Sequence, residues 1–134
     1  MFLNCHTAFS FKYGTLQVLG LFHEARRCGV RKLVLTEINN VASYIEMLRV
    51  CKENKCVPGS SLTAYGKEGY DLEVALGIEF RRGHELLYIA IAKNNRGFEV
   101  LNRFLSMHNA EGSPLPPRAP FVEDAFMIYP LGRL

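Results

Sequence analysis

Apolar residues in this chain fall into short blocks, some with the period of a helix and some continuous, separated by polar, Gly-bearing and Pro-bearing stretches. Met1 to Thr7 reads as a strand that leaves His6 near its C-terminal end, and a polar and aromatic loop follows as far as Gly14. Thr15 reads as the cap of a helix. Its apolar positions Leu16, Leu19, Phe22 and Ala25 share one face, with Arg26 and Arg27 in the last turn and Gly29 beyond it. Lys32-Leu33-Val34-Leu35-Thr36 is too short for a helix and predicts a buried strand, followed by a loop, Glu37-Ile38-Asn39-Asn40. From Val41 to Asn54, Ile45, Leu48 and Cys51 recur at helical spacing, with Tyr44 and Met47 broadening the face of a second helix.

Val57 to Tyr70 carries one Pro, three Gly and two Ser with little periodicity, and predicts a loop or insertion. Leu72 to Phe80 and Leu86 to Ala92 both predict buried strands. Only Arg81-Arg82-Gly83-His84-Glu85 separates them, too little for a parallel crossover, so the pair reads as an antiparallel hairpin. A third helix spans about Gly97 to His108 with Phe98, Leu101, Phe104 and Leu105 on one face. Glu111 to Pro120 predicts an extended, Pro-rich link, and Ala125 to Tyr129 a last strand. Strands alternating with helices imply an α/β fold with a mainly parallel sheet and one antiparallel hairpin.

At 134 residues and 15.2 kDa, one domain covering residues 1–134 is expected. The 49% apolar and 22% charged composition is that of a globular chain with a core. A net charge of +3 is too mild to mark a dedicated nucleic-acid or membrane binder. Nothing approaches the roughly 18–20 apolar residues of a membrane span, and polar Asn4 and His6 break any signal-peptide pattern, so no membrane association and a cytoplasmic location are expected. Cys5, Cys28, Cys51 and Cys56 form no C-x-x-C pair and read as reduced thiols.

In such a sheet, function gathers at the C-terminal ends of the strands, where His6, Glu37 and Glu79 are expected. One imidazole and two carboxylates on one rim suit a divalent transition metal with open positions for water or phosphate. The commoner reading of the same residues is structural: a hydrogen-bonded histidine and two glutamates that end strands. Asn4, Asn39 and Asn40 could add amides to the rim, and Ser10 or Thr36 a turn hydrogen bond. Arg81 and Arg82 read as a solvated charge run, and His23, His84 and His108 as histidines on a helix, in a hairpin turn and at a helix end that are not ligands. No nucleophile elbow, P-loop or dinucleotide fingerprint is present, and no aromatic-and-basic interleaving is legible, so no direct nucleic-acid binding is expected.

Four ordered blocks carry a resemblance. These are Asn4-Cys5-His6-Thr7-Ala8-Phe9-Ser10-Phe11-Lys12-Tyr13-Gly14-Thr15, Leu35-Thr36-Glu37-Ile38-Asn39-Asn40, Gly77-Ile78-Glu79-Phe80 and Ile91-Ala92-Lys93-Asn94-Asn95. Together with Pro117-Arg118-Ala119-Pro120 and Ile128-Tyr129-Pro130, they resemble the PHP (polymerase and histidinol phosphatase) domain. The form they resemble stands at the N-terminus of the alpha subunit of bacterial DNA polymerase III. The resemblance implies a distorted seven-unit β/α barrel of which about the first half is present. It also implies that the chain is a fragment of a longer polymerase subunit.

In active members the first block supplies two histidines, the second an Asp-His pair and the third a Glu, building a site for up to three metal ions. Here Asn4 and Ile38 stand at substituted ligand positions, and Glu37 replaces the Asp. His6, Glu37 and Glu79 therefore remain as vestigial ligands, with zinc or manganese bound weakly or not at all and no catalytic residue assigned. The reading that follows is a non-catalytic structural or docking module of a replicative polymerase. Its implied partners are the remainder of the alpha subunit and a proofreading exonuclease, and magnesium serves the parent nucleotidyltransferase. A metal-dependent phosphoesterase and a free-standing interaction module are the alternatives. As an isolated half barrel with exposed strand edges, the chain is expected to form a homodimer.

Overall fold

The computed structural model describes residues 1–60, 62–63 and 66–132. Its elements are, in chain order, β1 (Phe2–Cys5), α1 (Val18–Arg27), β2 (Lys32–Ile38), α2 (Tyr44–Glu53), β3 (Glu73–Arg82), β4 (Glu85–Ala92), α3 (Asn95–Glu111) and β5 (Ala125–Ile128). The strands form one sheet in the order β1-β2-β3-β4-β5. β1, β2 and β3 pair in parallel, while β4 is antiparallel to both β3 and β5, so every strand but β4 runs the same way. The antiparallel hairpin is present, and β5 adds a second antiparallel pairing that the strand pattern alone did not specify.

The hairpin is tighter than the sequence pattern implies. β3 runs on through Arg82 and β4 begins at Glu85, pairing Arg82 with Glu85 and leaving Gly83 and His84 as a two-residue connection. Gly83 sits at φ +60°, a left-handed conformation that glycine adopts without a Cβ clash. β2 also runs past Thr36, which places Glu37 and Ile38 within a strand instead of a loop.

Both early helices form where expected; α1 buries Phe22 and Ala25 of its expected face, while α2 buries a face displaced by one residue. α1 starts at Val18 with Gln17, not Thr15, at its cap, and buries Val18, Phe22 and Ala25, while Leu16 and Leu19 are half-exposed. α2 buries Tyr44, Met47 and Val50 and leaves Ile45 79% exposed. A triplet of i, i+3, i+6 positions displaced by one residue is still helically periodic, rotated by about 100°. The choice between faces is made by Tyr44, whose ring is buried and whose hydroxyl donates to Gly77 O and accepts from Glu37 N–H (3.1 Å). Cys28 lies just past α1 and is exposed, and all four cysteines are free.

α3 is two residues longer at its start and three at its end than the periodicity implies. Asn94 caps it by accepting from Gly97 N–H (2.9 Å), and Gly112 follows it at φ +64°. The extended link therefore begins after Glu111. Of the loop expected over 57–70, positions 61, 64 and 65 lie outside the described residues, and Leu62 forms an isolated antiparallel bridge with Glu68.

One core cluster packs α1 and α2 on β2, and a second packs α3 on β3, β4 and β5. Val34, Ile89 and Ile91 alternate along their strands with members of those clusters and so face the other side of the sheet. That second side carries the candidate site at its strand ends. No helix among the described residues is long and apolar enough to cross a membrane.

The face assignment of α2 is directly testable. Met47→Ala is expected to cost about 2–5 kcal/mol and Ile45→Ala to change stability by less than about 0.5 kcal/mol, read by urea unfolding.

Candidate functional site

The parallel register of β2 and β3 decides which side chains can meet. Residues paired across a sheet share a face, so Ile38 lies beside Glu79 and Thr36 beside Gly77, whereas Glu37 lies beside Ile78 on the helix-covered side. The strand rim therefore separates the two carboxylates. His6 and Glu79 come together, and Glu37 stands on the opposite face.

Glu79 is fully buried, and it is surrounded by donors. Asn4 Nδ2 donates to Oε1 at 3.0 Å, His6 Nε2 lies 3.3 Å from the same oxygen, and the Arg81 guanidinium donates through Nε to Oε2. Asn4 is itself oriented, because its Oδ1 accepts from Thr36 Oγ1 at 2.5 Å. Burial opposes the carboxylate charge, yet the contacts of His6, Arg81 and Asn4 and the positive charge of His6 outweigh it and hold the Glu79 carboxyl down at about 2.

Arg81 is placed with equal care. It follows Glu79 by two residues on β3, so the strand's alternation returns its side chain to the same face. Asn39, at φ +51°, clamps the Arg81 backbone with two hydrogen bonds, Nδ2 to Arg81 O (2.8 Å) and Arg81 N–H to Oδ1 (2.9 Å). Nη1 donates to His84 O (3.1 Å), and the guanidinium carbon lies 4.7 Å from the centre of the Tyr13 ring.

Glu37 does different work. Its Oε1 accepts from Thr7 N–H (2.7 Å) and Ser10 Oγ (3.0 Å), and its Oε2 from Thr7 Oγ1 (2.5 Å). Ser10 Oγ also accepts from Ile38 N–H (2.9 Å). A buried carboxylate with three donors is fully engaged in holding the loop after β1. Asn40 supports that loop from outside, donating to Phe9 O at 3.1 Å.

This donor set does not suit a multinuclear metal centre. Among the described residues no group of three or more His, Cys, Asp or Glu side chains converges as metal ligands do. His6 Nε2 is buried and makes no well-angled hydrogen bond. The carboxylate beside it is already shared with an amide and a guanidinium, and Ile38 offers only hydrocarbon where it faces Glu79. Transition-metal sites need several fixed donors with their own supporting bonds.

A family model described as "PHP domain" matches residues 3–127. The chain belongs to the PHP domain family. Two curated relatives, both DNA polymerase III subunit alpha and from two strains of Staphylococcus epidermidis, are each 26% identical to it over 131 residues. The match covers 95% of this chain and 11% of the relatives' own length. This PHP domain is thus related to DNA polymerase III subunit alpha. Asn4 and Ile38 both face the same side of the sheet as His6 and Glu79.

Two participants escape the sequence reading. Arg81 reads as part of a solvated charge run, although its i+2 spacing from Glu79 on a strand is the available signal. Thr7 holds Glu37 through its N–H and Oγ1, a placement no spacing rule exposes, whereas Asn39 is expected to add its amide to the rim and does so through the Arg81 backbone.

The buried carboxylate sets a pH dependence. The Glu79 carboxyl is lowered from its ordinary value near 4.5 to about 2 in the folded protein. Its contribution to stability is therefore full above about pH 4.5 and is lost as pH falls toward 2. Thermal unfolding of the wild-type chain is expected to fall more steeply across that window than that of Glu79→Gln, whose side chain does not titrate.

Proposed function

We propose that this chain is a PHP domain that does not hydrolyse phosphoesters and serves as a structural module of a DNA polymerase III alpha subunit. The observation that carries this reading is the Glu79 carboxylate, both of whose oxygens already have a donor. Arg81 supplies the positive charge that a metal ion supplies elsewhere, Asn4 donates to the other oxygen, and His6 Nε2 stands 3.3 Å from it. A guanidinium can neutralise a carboxylate, but it cannot generate hydroxide from bound water as a metal does. Ionic and amide contacts of this kind fix the ends of β1, β2 and β3 relative to one another, which is a scaffold's task.

The polymerase assignment is supported by relatives of that name over nearly the whole chain. Under this reading the domain's partner is the rest of the alpha subunit, with a proofreading exonuclease as a further docking partner and magnesium used only by the polymerase centre. Its sheet represents about the first half of a barrel. β1 and β5 are its outer strands, and exposed Phe2, Leu3 and Phe126 lie along them, which favours edge-to-edge homodimers of the isolated chain.

Metal content and turnover test the reading together. Chain purified without chelator is expected to carry well under one equivalent of zinc or manganese and to release no phosphate from p-nitrophenyl phosphate with either ion added. Turnover abolished by His6→Ala would establish the phosphoesterase alternative instead. Light scattering over a wide concentration range is expected to show a dimer, and a monomeric mass throughout would remove the edge-pairing proposal.

A further inference from the structure

The end of the sheet opposite Glu79 carries an open cavity of about 610 Å³, at the start of β2 and β3 and the end of α2. Four cations, Arg31, Lys32, Lys52 and Lys55, and two carboxylates, Asp71 and Glu73, line it. The carboxylates are engaged. Glu73 pairs with Lys32 (3.5 Å), and Asp71 Oδ1 accepts from Cys56 N–H (2.9 Å). Glu53, on the last turn of α2, pairs with Arg49 (3.4 Å). Among the described residues, Arg31, Lys52 and Lys55 are left with no carboxylate at ion-pair distance.

Lysines at the end of a helix ordinarily serve its last carbonyls. In α2 those carbonyls are taken. Val50 O accepts from Asn54 N–H (3.1 Å) and Asn54 Nδ2 (2.8 Å), Lys52 O from Lys55 N–H (3.4 Å), and Asn54 O from Tyr70 N–H (2.8 Å). Arg31 is held in place from two sides. Its carbonyl accepts from Glu73 N–H (2.9 Å), and its guanidinium carbon lies 4.3 Å from the centre of the Tyr70 ring. That ring is buried, and its hydroxyl donates to Val30 O (2.5 Å). Like charges held around one cavity repel one another, and an anion seated between them offsets that cost.

We infer that this cavity is a binding site for a compact oligophosphate, held by Arg31, Lys52 and Lys55. Its volume is that of a small-molecule site. A short phosphate chain places several negative charges within one cavity, which matches three cations on separate elements, whereas a single carboxylate answers only one of them. Among the described residues no aromatic side chain lines the cavity, so a nucleoside attached to the chain gains no stacking there. The inference is independent of the non-catalytic reading, since metal content and turnover report on the Glu79 end of the sheet and oligophosphate binding on the other.

Isothermal titration calorimetry of the full chain with sodium tripolyphosphate at about 50 mM salt is the test. Saturable binding at a single site is expected, with Lys52→Gln and Lys55→Gln each reducing affinity about tenfold and Lys52→Arg retaining it. Arg103→Gln, on α3 and paired with Glu99, is the control and is expected to bind as the wild type does. Lys52, Lys55 and Arg103 are exposed, so their replacement leaves the fold intact, which circular dichroism verifies. Adenosine triphosphate is expected to bind no tighter than tripolyphosphate, and sulfate at the same ionic strength to bind more weakly. No saturable heat, equal affinity for sulfate, unchanged affinity in both lysine variants, or equal losses from Lys52→Gln and Arg103→Gln would overturn the inference. Adenosine triphosphate binding more than about tenfold tighter would do so as well, because these three cations supply nothing that recognises a nucleoside.

Discussion

A carboxylate removed from water must find its counter-charge and hydrogen bonds inside the protein, and Glu79 finds all of them within the chain. Much of the strand rim follows from that requirement. Arg81 must stay in β3 with its side chain turned inward, so the strand continues to Arg82 and the hairpin closes through Gly83 and His84. Asn39 must hold Arg81, and it takes a left-handed conformation to do so. Asn4 must be fixed by Thr36 before it can donate to Glu79. In this PHP domain the positive charge next to Glu79 comes from Arg81, two residues further along the same strand.

The second buried carboxylate shows how alternate faces of one strand divide labour. Glu37 and Ile38 are adjacent in β2, yet Glu37 ties down the loop above the helix layer while Ile38 faces the Glu79 network. Tyr44 links the two, receiving a hydrogen bond from Glu37 N–H and giving one to Gly77 O, so α2 is registered against β2 and β3 at the level of the site. Burial raises the Tyr44 phenol, which keeps that hydroxyl a donor.

The strand and helix order, the hairpin and the apolar blocks were legible because each rests on local periodicity and loop length. So were Leu101 and Leu105 on the face of α3 and Phe22 and Ala25 on that of α1, but not the face of α2. In α2, Ile45 and Leu48 read as core and Tyr44 as its margin, and the sheet reverses that because an aromatic ring with two hydrogen-bond partners gains more from the interior than an isoleucine gains. The meeting of His6 with Glu79 was legible as two polar residues ending strands. The separation of Glu37 from them needed the register of β2 against β3, which only pairing supplies. Arg81 was hidden by its neighbours: beside Arg82, Gly83 and His84 it resembled a solvated turn, and only continuation of β3 turns it inward.

The most direct test of an internal counter-charge is a double-mutant cycle between Glu79→Gln and Arg81→Met, read by urea unfolding at neutral pH. A coupling energy of about 1.5–3 kcal/mol is expected, because each partner removed leaves the other buried and unmatched. Additive effects within about 0.5 kcal/mol would show that Arg81 does not balance Glu79 and would return the site to an ion drawn from solution.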